Sequence, residues 1–176
     1  MGIPYVPVMG LAGSDLLKRR PDMKILPDPF EPGKKTVVAR AMRPDVAIFH
    51  ALRADRAGNV SLGNHNDAVT LAEAAHRVIV TVEEVVERVE ERDAEGTFLP
   101  GILVQSVVHA PYGAHPAGVP GRYEPDAAHM KRYVEAAKSE EGFAAYLAEF
   151  VFGVPDHATY VARHVAAAAD LRSRSA

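Results

Sequence analysis

Two short stretches of this chain carry side chains able to hold or polarise a ligand. The first runs from Arg53 through Asp55, Arg56 and Gly58 to Asn59. It offers a guanidinium that can grip an anionic group, a carboxylate, an amide, and a glycine that lets backbone come close. The second is Tyr112-Gly113-Ala114-His115-Pro116. Here a phenol and a permissive glycine precede an imidazole, which can act as base or donor near neutral pH. Each stretch also has a plainer reading. Asp55 and Asn59 are turn-shaping residues and Arg53 can pair with Asp55, while a loop histidine is more often incidental than catalytic. The candidate ligand-contacting residues are therefore Arg53, Asp55, Asn59, Tyr112, Gly113 and His115, with no catalytic residue and no metal ligand assigned to this chain.

Both stretches follow apolar runs. Residues 45–51, after a proline, have the pattern of a strand buried on both faces of a parallel sheet, and in open α/β sheets ligands sit beyond the carboxyl ends of the strands. Asn64 or Asn66 can cap a helix over 67–76, whose alanines allow close approach to a sheet. Residues 77–82 (RVIVTV) are the next buried strand, so strand, helix and strand follow at the length of a right-handed βαβ unit. Residues 103–109 supply a third strand, closed by Ala110-Pro111-Tyr112-Gly113. Residues 83–95 fit either a helix or a solvated connection. Glu83 and Glu84 end a strand, but with Glu87, Glu90 and Glu91 after them they read as a solvated acidic face.

Upstream, residues 5–9 read as a parallel strand. Ser14 or Asp15 caps a short helix through Lys18, stopped by Pro21. Residues 25–33 hold too many prolines for regular structure and read as a loop, and 36–39 are a short strand. Downstream the chain is helical. Pro125 fits the first position of a helix with Met130, Tyr133, Val134 and Ala137 on one face. Ser139 caps another, with Phe143, Tyr146, Leu147, Phe150 and Val151 together and Gly153-Val154-Pro155 as its stop. A last helix starts at Asp156 and fades, fraying after Leu171.

The 176 residues suit one domain with a substantial core. The absence of cysteine removes thiol nucleophiles, disulfides and thiolate metal sites together. Net charge is −3 and the basic residues are scattered, so there is no footprint for nucleic acid. The start MGIPYVPVMG has neither a basic leader nor a long apolar core, which predicts a soluble cytoplasmic protein without signal peptide or membrane span. The eight histidines show no ligand spacing on one element. Residues 10–15 lack a full phosphate-loop fingerprint, and no serine sits in a nucleophile elbow.

RPDVAIFHALRADRAGNV, followed by AEAAHRVIVTVEEVV and then by VVHAPYGAHPAGVPGRY with its downstream YVEAAK, resembles the alpha subunit of family I CoA-transferases. The glutaconate CoA-transferase branch and the related ring-opening acyl-CoA hydrolases are the nearest kin by these motifs, and the likeness runs from Pro4 to about His164. The resemblance implies an α/β fold, an open and mainly parallel sheet with flanking helices and a helical carboxyl-terminal segment. It implies a single domain over 1–176, like that of the alpha subunit but lacking the family's amino-terminal half. It implies a hetero-oligomer with a beta subunit, and with a further chain if the missing half is supplied separately. A coenzyme A thioester is the expected substrate, with no bound cofactor. In such transferases a glutamate of the beta subunit attacks the acyl-CoA thioester and CoA passes to a second carboxylate. In the hydrolases an important glutamate and a glycine-rich loop lie upstream of anything matched here. A non-catalytic CoA-binding or assembly module is the third reading.

Overall fold

The computed structural model of the chain describes residues 3–65 and 67–165. A cap at Asn66 and a frayed tail after Leu171 lie outside the described residues. The backbone gathers into two compact units, Met1–Pro44 and Asp45–Ala176.

The first unit is an antiparallel sheet in the order β1-β3-β2, made of β1 (Tyr5–Val8), β2 (Met23–Pro27) and β3 (Lys35–Arg40), with a one-turn helix α1 (Leu16–Arg19) after β1. Two expectations are corrected here. The first strand is not parallel: it runs against β3, Tyr5 opposite Arg40. The proline-rich segment is not all loop either, because Ile25, Leu26 and Pro27 pair with Val37, Thr36 and Lys35. A proline is tolerated there because β2 is an edge strand and Pro27 is its last residue. The turn beyond is drawn in by Asp28, whose carboxylate accepts from the backbone N–H groups of Phe30 and Glu31 and from the Thr36 hydroxyl.

The second unit carries the candidate site. Its sheet has the order β7-β5-β4-β6-β8, from β4 (Val46–Asp55), β5 (Val60–Ser61), β6 (Arg77–Val86), β7 (Phe98–Leu99) and β8 (Ser106–His109). Strands β4, β6 and β8 are parallel and in register, Ile48 beside Ile79 and Thr81 beside Val108. The hairpin strand β5 and its neighbour β7 run antiparallel, which makes the sheet mixed at one side. Helix α2 (Asp67–Ala74) crosses from β4 to β6. Its Ala68 and Ala72 pack on Ala47, Ala51, Val78, Val80 and Val82, with Val60, Leu62 and Leu99 completing the core. Short side chains on both sides let helix and sheet approach. The opposite face of β4 is open only toward its start, where Ile48 is 64 % exposed, and closes at Leu52 and Ala54. The expected strand at 77–82 runs on to Val86. The expected strand at 103–109 begins only at Ser106, after a 3₁₀ turn over Gly101–Leu103.

The carboxyl-terminal part is helical. Helix α3 (Ala127–Ala136) is capped by Asp126, which accepts from the His129 N–H, so Pro125 lies outside the helix rather than in its first turn. Ser139 accepts from Gly142 N–H to start α4 (Glu140–Leu147), which continues into a π turn at Ala148–Phe152. Asp156 caps α5 (His157–Tyr160), followed by a second π turn at Val161–Val165. On α3 the expected stripe of Met130, Tyr133 and Val134 is exposed, and the residue turned inward is His129.

Candidate active site at the carboxyl ends of the parallel strands

Strand β4 ends in a tight turn organised by Asp55. This carboxylate is 2 % exposed and accepts four hydrogen bonds: from the backbone N–H groups of Ala57, Asn59 and Val89 and from the Asn59 side-chain amide. Burial acts to raise its pKa, yet these donors outweigh it and hold the carboxyl below its ordinary value. Asn59 in turn accepts from the Gly101 N–H at 3.0 Å. Gly58 has φ +86°, and a Cβ there would stand 3.2 Å from the Gly101 carbonyl oxygen. The glycine therefore makes room for protein backbone. Arg53 pairs with Glu95 at 2.8 Å, not with Asp55. Its Nε is buried without a partner among the described residues.

The loop after β8 folds back over the strand ends. Tyr112 has φ +58°, and its backbone N–H donates to Glu83 Oε2 at 2.8 Å. Gly113 is pressed onto β4: a Cβ would meet the Ala110 carbonyl at 2.7 Å and the His50 ring at 2.8 Å. His115 turns away from this surface and is only 4 % exposed. Its ring nitrogens lie 2.8 Å from the Tyr160 hydroxyl and 3.4 Å from an Asp126 carboxylate oxygen. Glu95 meets Arg53 and, at 3.3 Å, Arg122.

The polar centre of this end of the sheet is a set of residues the motifs did not single out as a site. Glu83 is not part of a solvated face, its side chain being 11 % exposed, whereas Glu84, Glu87 and Glu91 are exposed. His50 Nε2 lies 2.5 Å from Glu83 Oε1, and His50 Nδ1 lies 2.8 Å from the Thr81 hydroxyl on the neighbouring strand. The Tyr123 hydroxyl donates to Glu83 at 2.8 Å and accepts from the Ala114 N–H at 3.1 Å. Burial first, and then the bond to Glu83, push the Tyr123 phenol well above its ordinary pKa. The Glu83 carboxyl accepts from the Tyr112 N–H and the Tyr123 hydroxyl and faces His50 Nε2. The network fixes the loop's backbone over β4 and β6. The signal was present in sequence: in β6 the alternation of Val78, Val80 and Val82 puts Thr81 and Glu83 on the other face, beside His50.

A cleft of about 680 Å³ opens beside this network, with Phe49, Leu71 and Ala117 as apolar wall, Asn64 and His65 at its rim, and His50 and Ala114 shared with the network. A smaller one of about 320 Å³ lies between the Asp55 turn and residues 104–107. Among the described residues, no three histidine or carboxylate side chains stand close enough to hold a metal ion, and no helix is long and apolar enough to cross a membrane.

Comparison with known proteins places these features. The family model described as coenzyme A transferase matches residues 1–110. The chain is 38 % identical to the alpha subunit of glutaconate CoA-transferase from Acidaminococcus fermentans over 178 residues, covering 92 % of this chain and 56 % of the relative. It is 36 % identical to the alpha subunit of 3-oxoadipate CoA-transferase from Pseudomonas knackmussii, covering 92 % and 57 %. It is 28 % identical to the IpdA subunit of the cholesterol ring-cleaving hydrolase of Rhodococcus jostii, covering 88 % and 55 %. The crystal structure of the Acidaminococcus fermentans glutaconate coenzyme A-transferase matches the fold with a TM-score of 0.84 at 36 % identity, over 92 % of this chain and 56 % of that one. The chain spans about half the length of these relatives.

Proposed function

This chain belongs to the coenzyme A transferase family, and on that premise we propose that it works as a subunit of a CoA-transferase that moves CoA between an acyl-CoA and a carboxylic acid. The observation that carries the reading is the Glu83-His50-Tyr123 network, which locks the Tyr112–Val119 loop over the carboxyl ends of β4 and β6 beside the larger cleft. The nucleophilic glutamate belongs to a partner, the beta subunit. Tyr112 and Gly113 face the acyl-CoA. Arg53, whose part-exposed guanidinium pairs with Glu95, is the residue here placed to meet an anionic group of the substrate. Asp55, Asn59 and His115 act behind the surface, holding the turn and the loop.

The chemistry is balanced without a cofactor. The partner's glutamate attacks the thioester carbonyl, CoA leaves as thiolate, and a mixed anhydride forms. The thiolate attacks the glutamyl carbonyl, releasing the first acid and leaving a glutamyl-CoA thioester. An incoming carboxylate repeats the two steps in reverse order. This chain's residues bind and orient while the covalent bonds change on the partner. A cytoplasmic location accords with a cysteine-free chain acting on CoA esters.

The hydrolase relative supports a second reading, in which a carbon–carbon bond of a ring-opened CoA thioester is cleaved and water rather than a carboxylate accepts. The assembled complex distinguishes them. With short mono- and dicarboxylic acyl-CoA esters, a transferase gives a new acyl-CoA only when an acceptor carboxylate is added. No CoA exchange with any acceptor, together with acceptor-independent carbon–carbon cleavage of a cyclic acyl-CoA, would overturn the transferase reading in favour of the hydrolase.

A further inference from the structure

The turn at Tyr112-Gly113-Ala114 is held from a second direction, by side chains outside the strand-end network. Helix α5 meets the loop through two residues one turn apart. His157 Nε2 lies 2.7 Å from the Pro111 carbonyl oxygen, a group that can only accept, so the imidazole donates. Tyr160, three residues on and therefore on the same face of the helix, brings its hydroxyl to 2.8 Å from His115 Nδ1. The two rings stack with centroids 6.4 Å apart. The helix that carries them is pinned at its start by the Asp156 cap and at its end by contact between Tyr160 and His164. Helix α5 thus grips the residue before Tyr112 and the residue after Ala114, while Glu83 and Tyr123 take N–H groups between those two points.

Tyr112 needs such a grip. Its φ of +58° is a left-handed backbone that a residue other than glycine keeps only where its surroundings over-determine it, and such residues cluster at functional sites. The N–H groups of Tyr112, Gly113, Ala114 and His115 are spent on Glu83, the Ala110 carbonyl, the Tyr123 hydroxyl and the Tyr112 carbonyl. The turn therefore meets a ligand through the Tyr112 side chain, 40 % exposed, and not through these backbone donors. We propose that His157 and Tyr160 are positioning residues of the transferase site, fixing Pro111 and His115 from α5 and so aiming the Tyr112 phenol at the acyl-CoA. The proposal rests on the reading of Tyr112 as a residue that faces the substrate. It gives the carboxyl-terminal helices a part in the reaction, exerted through Tyr112 without touching the substrate.

The test compares wild type with His157→Ala, His157→Gln and Tyr160→Phe. Fluorine NMR of the full chain carrying 3-fluorotyrosine at position 112 reads the aim of the ring. Turnover of the unlabelled variants, assembled with the beta subunit, is measured with the same acyl-CoA esters and an acceptor carboxylate. His157 is exposed, so its variants should melt within about 2 °C of wild type, and they keep the test decisive should Tyr160→Phe fold poorly. The expected result is a shifted or broadened Tyr112 resonance in His157→Ala and Tyr160→Phe, with kcat/KM lowered about tenfold or more. His157→Gln, whose amide can still donate to Pro111, should recover both the resonance and the rate. An unmoved resonance would overturn the proposal whatever the kinetics, and would leave the transferase reading standing. A resonance that moves while kcat/KM holds would overturn it too, since the grip would then serve no step of the reaction. A wild-type complex that exchanges no CoA with any acceptor would remove the transferase reading and this role with it.

Discussion

Asp55 and Gly113 show how single residues set this site. Replacing Asp55 with Ala leaves the N–H groups of Ala57, Asn59 and Val89 without their acceptor in a nearly closed turn, and should lower stability by about 3 to 5 kcal/mol. Urea denaturation measures it, and a loss under about 1 kcal/mol would contradict the four-bond picture. The carboxyl is held below its ordinary value, so its contribution is complete above the unfolded carboxyl range and is lost as pH falls through the folded value. Asp55→Ala should therefore flatten the acid limb of the stability curve. Gly113→Ala acts differently. Its Cβ has backbone on one side and the His50 ring on the other, so the loop must shift. The variant should cost about 1 to 3 kcal/mol and cut turnover of the assembled enzyme at least tenfold. Unchanged kinetics would show that the loop's seat on His50 is not needed.

Elements show what a sequence can and cannot reveal. The caps at Ser139 and Asp156, helix α2 with its inward alanines, and the β4-α2-β6 unit follow from local chemistry and were legible. Glu83 was not, because an acidic run reads as solvated unless the strand is known to continue past Val82 and carry it under Tyr123, 40 residues away in sequence. Helix α3 also misled. Its stripe of Met130, Tyr133 and Val134 looked inward, but the buried seam is polar-aromatic, where the expected Tyr146 and Phe150 of the next helix meet His115, His129, Tyr160 and His164 in ring contact. Burial lowers the pKa of both His129 and His164. Their neutral forms are favoured by folding, so the stability they allow is present above the unfolded histidine value of about 6.5 and is lost as pH falls through and below it. At these rings the Asp126 and Glu149 carboxylates act in the opposite sense, while Arg132, Arg163 and the neighbouring His115 add to the lowering. Amide exchange, corrected for intrinsic rates, should quicken across α3 to α5 between about pH 6.5 and 5 while β4 and β6 stay protected. Equal protection of the helices at both pH values would contradict the buried-histidine seam.

At the scale of the whole molecule, two compact units and a half-bare parallel sheet belong to a chain that spans about half of its relatives. With the nucleophile on a partner, this chain alone should show no transferase turnover, and a rate above the buffer background would contradict the division of labour. The motifs alone were enough to place the family, because strand-end chemistry survives in short contiguous stretches. The open start of β4 was not legible, because apolar strand residues read the same whether or not a neighbour covers them. The most direct test of the composite transferase is native mass spectrometry of the chain purified with its accompanying polypeptides, after incubation with acyl-CoA and borohydride. The account predicts a co-purifying polypeptide that carries a reduced glutamyl side chain, the mark of a glutamyl-CoA thioester, while this chain stays unmodified. The mark on this chain, or CoA transfer by this chain alone, would contradict it.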